Sequence, residues 1–122
     1  AGYTAYLEAH PHETRHLLDA LLINVTAFFR DDLPWAYLRE EVLPRLLATK
    51  GEGDPIRVWS AGCATGEEAY TLAMVLAEHL GADRFRECVK IYATDVDDDA
   101  LATARQGAYD PPDVAGVPPE LL

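Results

Sequence analysis

The sequence predicts an α/β fold: an open sheet of parallel strands with flanking helices, preceded by short helices. Three observations predict it. Ile56-Arg57-Val58-Trp59-Ser60 is an apolar-rich run that turns through Gly62 and Gly66 into a helical pattern. Cys88 to Asp95 is a second such run, ending in an acid, and Asp97 to Arg105 reads as helix again. Strand, helix, strand, helix is the opening half of a parallel sheet, because parallel strands must be joined by crossover connections.

Each element has its own signals. Between Tyr3 and about Ile23, Leu17, Leu18, Leu21 and Leu22 recur at helical spacing, with Pro11 near the start of the longer helix. Asn24 to Asp31 mixes polar and aromatic residues too irregularly for a core helix and predicts a loop. Asp31 or Asp32 caps a helix from about Leu33 to Ala48, with Pro34 in its tolerant first turn and Pro44 predicting a bend or interruption. Lys50 to Pro55 is a loop by composition and leads into the strand Ile56–Ser60. The helix from Glu67 to Leu80 has an apolar face of Leu72, Ala73, Val75, Leu76 and Leu80, and Gly81 ends it. Gly107 stops the helix that begins at Asp97, and four prolines make the tail from Tyr109 to Leu122 extended or turn-rich, with a helix start at Pro119. Residues 1–30 thus form a helical lead-in and residues 31–122 the sheet domain.

Composition narrows the function. A net charge of −11 argues against general nucleic-acid binding, which needs clustered Lys and Arg against phosphates. No apolar run reaches the length of a membrane span, and Ala1-Gly2-Tyr3-Thr4 lacks the regions of a signal peptide, so a cytoplasmic location is expected. Cys63 and Cys88 lack metal-like spacing and read as free thiols of a reducing compartment. His12 and His16 lie four apart with Glu13 between them, but no third ligand is placed, so a solvated helix face is predicted and no metal site. Two parallel strands cannot cover both faces of a sheet. The expectation is therefore a fragment of a larger protein, or a chain that self-associates through its exposed sheet edge.

The turn from Val58 to Tyr70 carries the chemistry. Glycines there allow close backbone approach, and the following helix offers unpaired N–H groups. The pattern is not the dinucleotide fingerprint, because Glu67 and Glu68 follow the glycines, and no Walker-type lysine is present. A nucleoside without phosphates fits better, with Asp95 at a strand end placed to accept two ribose hydroxyls. S-adenosylmethionine is such a ligand: it combines a ribose with an ammonium and a sulfonium that tolerate carboxylates.

Three segments resemble the CheR-type chemotaxis receptor methyltransferases. Asn24-Val25-Thr26-Ala27-Phe28-Phe29-Arg30 is similar to the family's Asn-x-Thr-x-Phe-Phe-Arg segment, Val58 to Tyr70 to its cofactor turn, and Ala93-Thr94-Asp95-Val96-Asp97 to its ribose-binding strand end, in the family's order and spacing. The resemblance covers nearly the whole chain and implies a partial Rossmann-like class I methyltransferase domain. It implies S-adenosyl-L-methionine as cofactor, S-adenosyl-L-homocysteine as product, and glutamate side chains of the chemoreceptor cytoplasmic domain as substrate. By the same resemblance Asn24, Thr26 and Arg30 line the cofactor pocket, Ala61 and Gly62 approach the amino-acid part, Glu68 is a direct contact and Asp95 holds the ribose. Glu67 is adjacent. Family members extend further on both sides, so the chain is expected to hold about half of an active site and to be inactive alone.

A free glutamate is already an anion at neutral pH, with a pKa of about 4.3, so esterifying it needs no side-chain base. It needs positioning and a cation to steer the acceptor oxygen. Arg30 is the catalytic candidate, and pairing with Asp31 or Asp95 is its structural alternative. Phe28 and Phe29 read as core anchors rather than adenine platforms. Cys63, near a helix start that could lower its pKa, reads as a packing residue. A non-catalytic S-adenosylmethionine-binding signalling module is the alternative function. A small-molecule or nucleic-acid methyltransferase is disfavoured by the acidic charge and the Asn-x-Thr segment.

Overall fold

The computed structural model describes residues 2–22 and 24–122; Ile23, where the lead-in helix was expected to end, lies outside them. Two short helices open the chain, α1 (Tyr3–Ala9) and α2 (Pro11–Leu21), with Pro11 at the first position of the second. The expected loop follows. Helix α3 (Asp32–Tyr37) then runs through a π-helical turn at Leu38–Val42 into α4 (Leu43–Ala48). Pro44 explains that turn. Its ring would collide with the carbonyl four residues back, and widening the helix, with the Leu43 N–H reaching the Leu38 carbonyl, lets the chain continue.

Strand β1 (Ile56–Ala61) pairs in parallel with β2 (Val89–Thr94), Ile56 opposite Val89 and Ala61 opposite Thr94. The crossover between them contains α5 (Glu67–Leu80) and α6 (Ala82–Cys88), and α7 (Asp98–Gln106) follows β2. Helix α6 carries no helical signal in the sequence. Its seven residues carry a single large apolar side chain, Phe85, too few for a helical repeat to show. The strand expected from Cys88 therefore begins at Val89. Asp97 precedes α7 as its cap, accepting from the N–H groups of Asp99 and Ala100, rather than forming its first turn. The tail is turn-rich and ends in a short 3-10 turn, Pro119–Leu121.

The core lies on one side of the sheet. Val75 and Leu76 of α5 and Leu43 of α4 are buried together, with Val58, Val89 and Ile91 packed against them. Alternation along the strands leaves Arg57, Trp59, Lys90 and Tyr92 on the opposite face, all exposed. No helix among the described residues is long and apolar enough to cross a membrane. Both cysteines are free.

Candidate cofactor site

The flush register of the two strands brings their carboxyl ends side by side, which is where open α/β sheets form ligand crevices. The glycine turn is stitched to that edge: the N–H groups of Gly62 and Cys63 donate to the Thr94 carbonyl at 2.8 and 3.0 Å. Gly62 (φ 76°) and Gly66 (φ 101°) take left-handed conformations, as does Ala64 between them (φ 46°). This shape aims the Ala64 N–H at Asp95 Oδ2, 2.7 Å away, while the Asp97 N–H reaches Asp95 Oδ1 at 3.0 Å. Those backbone donors, Asp97 foremost, hold the Asp95 carboxyl below the ordinary carboxylate range against the opposing effect of burial. Asp95 is an anion at neutral pH, with lone pairs left over for further donors.

Leu22, Asn24 to Ala27, Arg30 and Asp31 form the facing wall of a cleft of about 550 Å³. Asn24, Thr26, Arg30, Gly62, Glu68 and Asp95 all line it, although they come from stretches up to 71 positions apart in sequence (95 − 24). Ala61, the other predicted contact, is the exposed last residue of β1 and does not line the cleft. Apolar walls come from Leu22, Val25, Trp35 and Val96. Trp35 was not singled out in the sequence, where it passes for an ordinary residue of an amphipathic helix. Its indole N–H donates to the Arg30 carbonyl at 2.8 Å, a contact with no local sequence signal.

The adjacent glutamates diverge. Glu68 faces the cleft and accepts from the buried Ser60 hydroxyl at 2.7 Å, whereas Glu67 turns inward and is held by the Thr65 hydroxyl at 2.7 and 2.9 Å. The Asn24 amide donates to Asp97 and ties the loop to the cap of α7. Arg30 donates to the Val25 carbonyl and lies 3.8 Å from Asp31, so of its two expected carboxylate partners it takes Asp31 rather than Asp95. Phe28 packs edge-on against Tyr109 with ring centroids 4.9 Å apart, and Phe29 against Trp35 at 6.1 Å; neither lines the cleft, as expected of core anchors. Burial, followed by the charge of Asp95, pushes the Cys63 thiol up, opposite to activation by the helix start. His16 lies 4.0 Å from Glu13 on an exposed helix face.

A cleft of this size, with an anionic carboxylate at a strand end and apolar walls, has the form of the ligand crevices of parallel α/β sheets. Residues 24–122 match the family described as CheR methyltransferase, SAM binding domain, and the chain belongs to that family. Over 98% of its length it is 41% identical to a Rhodobacter capsulatus protein described as "Uncharacterized 104.1 kDa protein in hypE 3'region". It is 39% identical to a chemotaxis protein methyltransferase of Borreliella burgdorferi over 86% of the chain, and 36% identical to that of Escherichia coli over 98%. The chain spans 13% of the first of these relatives, 38% of the second and 40% of the third. The fold is accordingly that of a class I methyltransferase and the cofactor S-adenosylmethionine. The residues present fit it: Asp95 offers an acceptor for hydroxyl donors, Glu68 a negative charge toward a cationic ligand, and Trp35 and Val96 an apolar surface.

Proposed function

We propose that the protein carrying this chain is a cytoplasmic enzyme that methylates glutamate side chains of chemotaxis receptors, and that this chain supplies the cofactor-facing part of its active site. The observation that carries the reading is the convergence of Asn24, Thr26, Arg30, Gly62 and Glu68 on one cleft with Asp95, the anionic strand-end acid. When bound, S-adenosylmethionine supplies an electrophilic methyl group. Asp95 would accept hydrogen bonds from the ribose hydroxyls, Glu68 would offset the positive charge of the amino-acid part, and Gly62, without a Cβ, would leave room for it. Asn24, tied to Asp97, would hold the loop that walls the ligand site, and Thr26 lines that wall.

The acceptor glutamate arrives as an anion, so none of these residues has to remove a proton. Arg30 steers it. That requires its guanidinium to leave Asp31, an exposed pair that contributes little and is easily exchanged for an incoming carboxylate. Apolar walls keep water from competing for the methyl group.

Calorimetric titration with S-adenosylhomocysteine tests the cofactor part without a receptor. Saturable binding that is lost in Asp95→Ala supports it; equal binding by wild type and Asp95→Ala removes Asp95 from the site. Arg30→Ala tests steering in the intact enzyme, where a fall in methyl transfer of roughly a hundredfold, measured at saturating cofactor and beyond any loss of S-adenosylhomocysteine affinity, is expected. Unchanged transfer would withdraw the steering role.

A further inference from the structure

Helix α5 buries a hydroxyl where its neighbours bury hydrocarbon. Thr71 shares the core-facing stripe with Val75, and both are 0% exposed. A hydroxyl in that position needs partners, and it has two. It donates to the Glu67 carbonyl one turn back at 2.7 Å, and it accepts from the backbone N–H of Phe29 at 3.2 Å. The second bond joins α5 to the loop that walls the cleft, 42 positions away in sequence.

Phe29 is a strained point of that loop. Its φ is 50° and that of Asp31 is 58°, both in the left-handed region disfavoured for residues with a Cβ, and Arg30 stands between them. Strain of this kind persists only where surrounding contacts over-determine it. Here the backbone is pinned at both ends, by Thr71 at the Phe29 N–H and by the Trp35 indole at the Arg30 carbonyl. The Phe29 ring is held as well, with Trp35 against its edge and the Arg39 guanidinium 5.2 Å over its face.

We propose that Thr71 is a positioning residue whose buried hydroxyl holds the left-handed turn at Phe29 and thereby sets where Thr26 and Arg30 stand in the cleft. It lies behind the loop and does not line the cleft, so its effect on ligand binding is indirect. The inference rests on the cofactor reading above. Without the hydroxyl, the Phe29 N–H has no partner from α5 and the strained turn relaxes, carrying the cleft wall with it.

The test is S-adenosylhomocysteine titration of the intact protein and of Thr71→Val, Thr71→Ser and Thr71→Ala, each well below its own melting temperature. Thr71→Val, isosteric but without the hydroxyl, is expected to weaken binding about tenfold, while Thr71→Ser stays within about twofold of wild type. Should Thr71→Val not fold, the Ser and Ala variants make the same comparison, since both lack the methyl and only Ser keeps the hydroxyl. Valine and alanine variants that bind as tightly as wild type, whatever their melting temperatures, overturn the proposal. Equal losses in the serine and alanine variants do so too, because the methyl group would then be what matters. Absence of binding by the wild-type protein is a different result: it overturns the cofactor reading, and this inference with it.

Discussion

The pKa values of Asp95 and Tyr109 are displaced in opposite directions, the first by backbone hydrogen-bond donors and the second chiefly by burial. Asp95 is held below its ordinary value by the N–H groups of Asp97 and Ala64. Folding therefore disfavours its protonated form, and the stabilisation is complete above the unfolded value of about 3.9 and lost as pH falls through the lower folded value. Asp95→Asn should flatten the acid limb of a plot of melting temperature against pH, and an unchanged limb would show that other carboxylates govern it. Tyr109 donates its hydroxyl to the Thr65 carbonyl at 2.6 Å. Burial, and then the charge of Glu67, raise its pKa to about 12. Its contribution is complete below about 10 and declines as pH rises toward the folded value. An ultraviolet titration of the tyrosines should lose its latest-ionising component in Tyr109→Phe; loss of an ordinary tyrosine instead would contradict the buried hydrogen bond.

At the scale of the element, the two glycines of the cofactor turn make a controlled comparison. Both have positive φ, but a Cβ at Gly62 would meet nothing within 4 Å, whereas one at Gly66 would lie 2.9 Å from the Tyr109 hydroxyl and 3.0 Å from Ala104 Cβ. Gly62→Ala should therefore cost only the backbone strain, roughly 1–2 kcal/mol. Gly66→Ala adds the collision and should cost about 3 kcal/mol or more. Urea denaturation at constant m-value measures both, and equal costs would mean that α7 and Tyr109 yield easily. Legibility at this scale follows the length of the pattern. Helix α5 was readable to both ends because its apolar residues repeat over four turns and Gly81 marks the stop. Helix α6 was not, because seven residues with one Phe hold no repeat. Pro44 announced a disturbance, but its form as a π turn depends on Leu43 packing into the core and keeping the helix going.

For the whole molecule, surface is the decisive quantity. The chain exposes 8452 Å², against roughly 6,500 Å² for a compact protein of its size. The sheet's uncovered face accounts for part of this, with Trp59 70% and Tyr92 49% exposed in adjacent strands. Self-association of the isolated chain through this sheet is the expected consequence, opposed by the net charge of −11. Raising the salt from about 0.1 M to 1 M shortens the screening length from about 10 Å to about 3 Å and should strengthen association. Sedimentation equilibrium should detect this, and Trp59→Lys should abolish it; a chain monomeric at all salt concentrations would show that the exposed face is inert.

The sequence by itself determined the strand–helix order, the glycine turn and the acid at the strand end, because each is written in local periodicity or in a contiguous motif. Only the tertiary structure decided that Arg30 takes Asp31 rather than Asp95, that Glu67 turns inward to Thr65, that Trp35 forms a wall and that Thr71 reaches Phe29. Those depend on where side chains point once α5, the loop and the sheet are packed together. Contacts between residues dozens of positions apart leave no mark on the residues beside them.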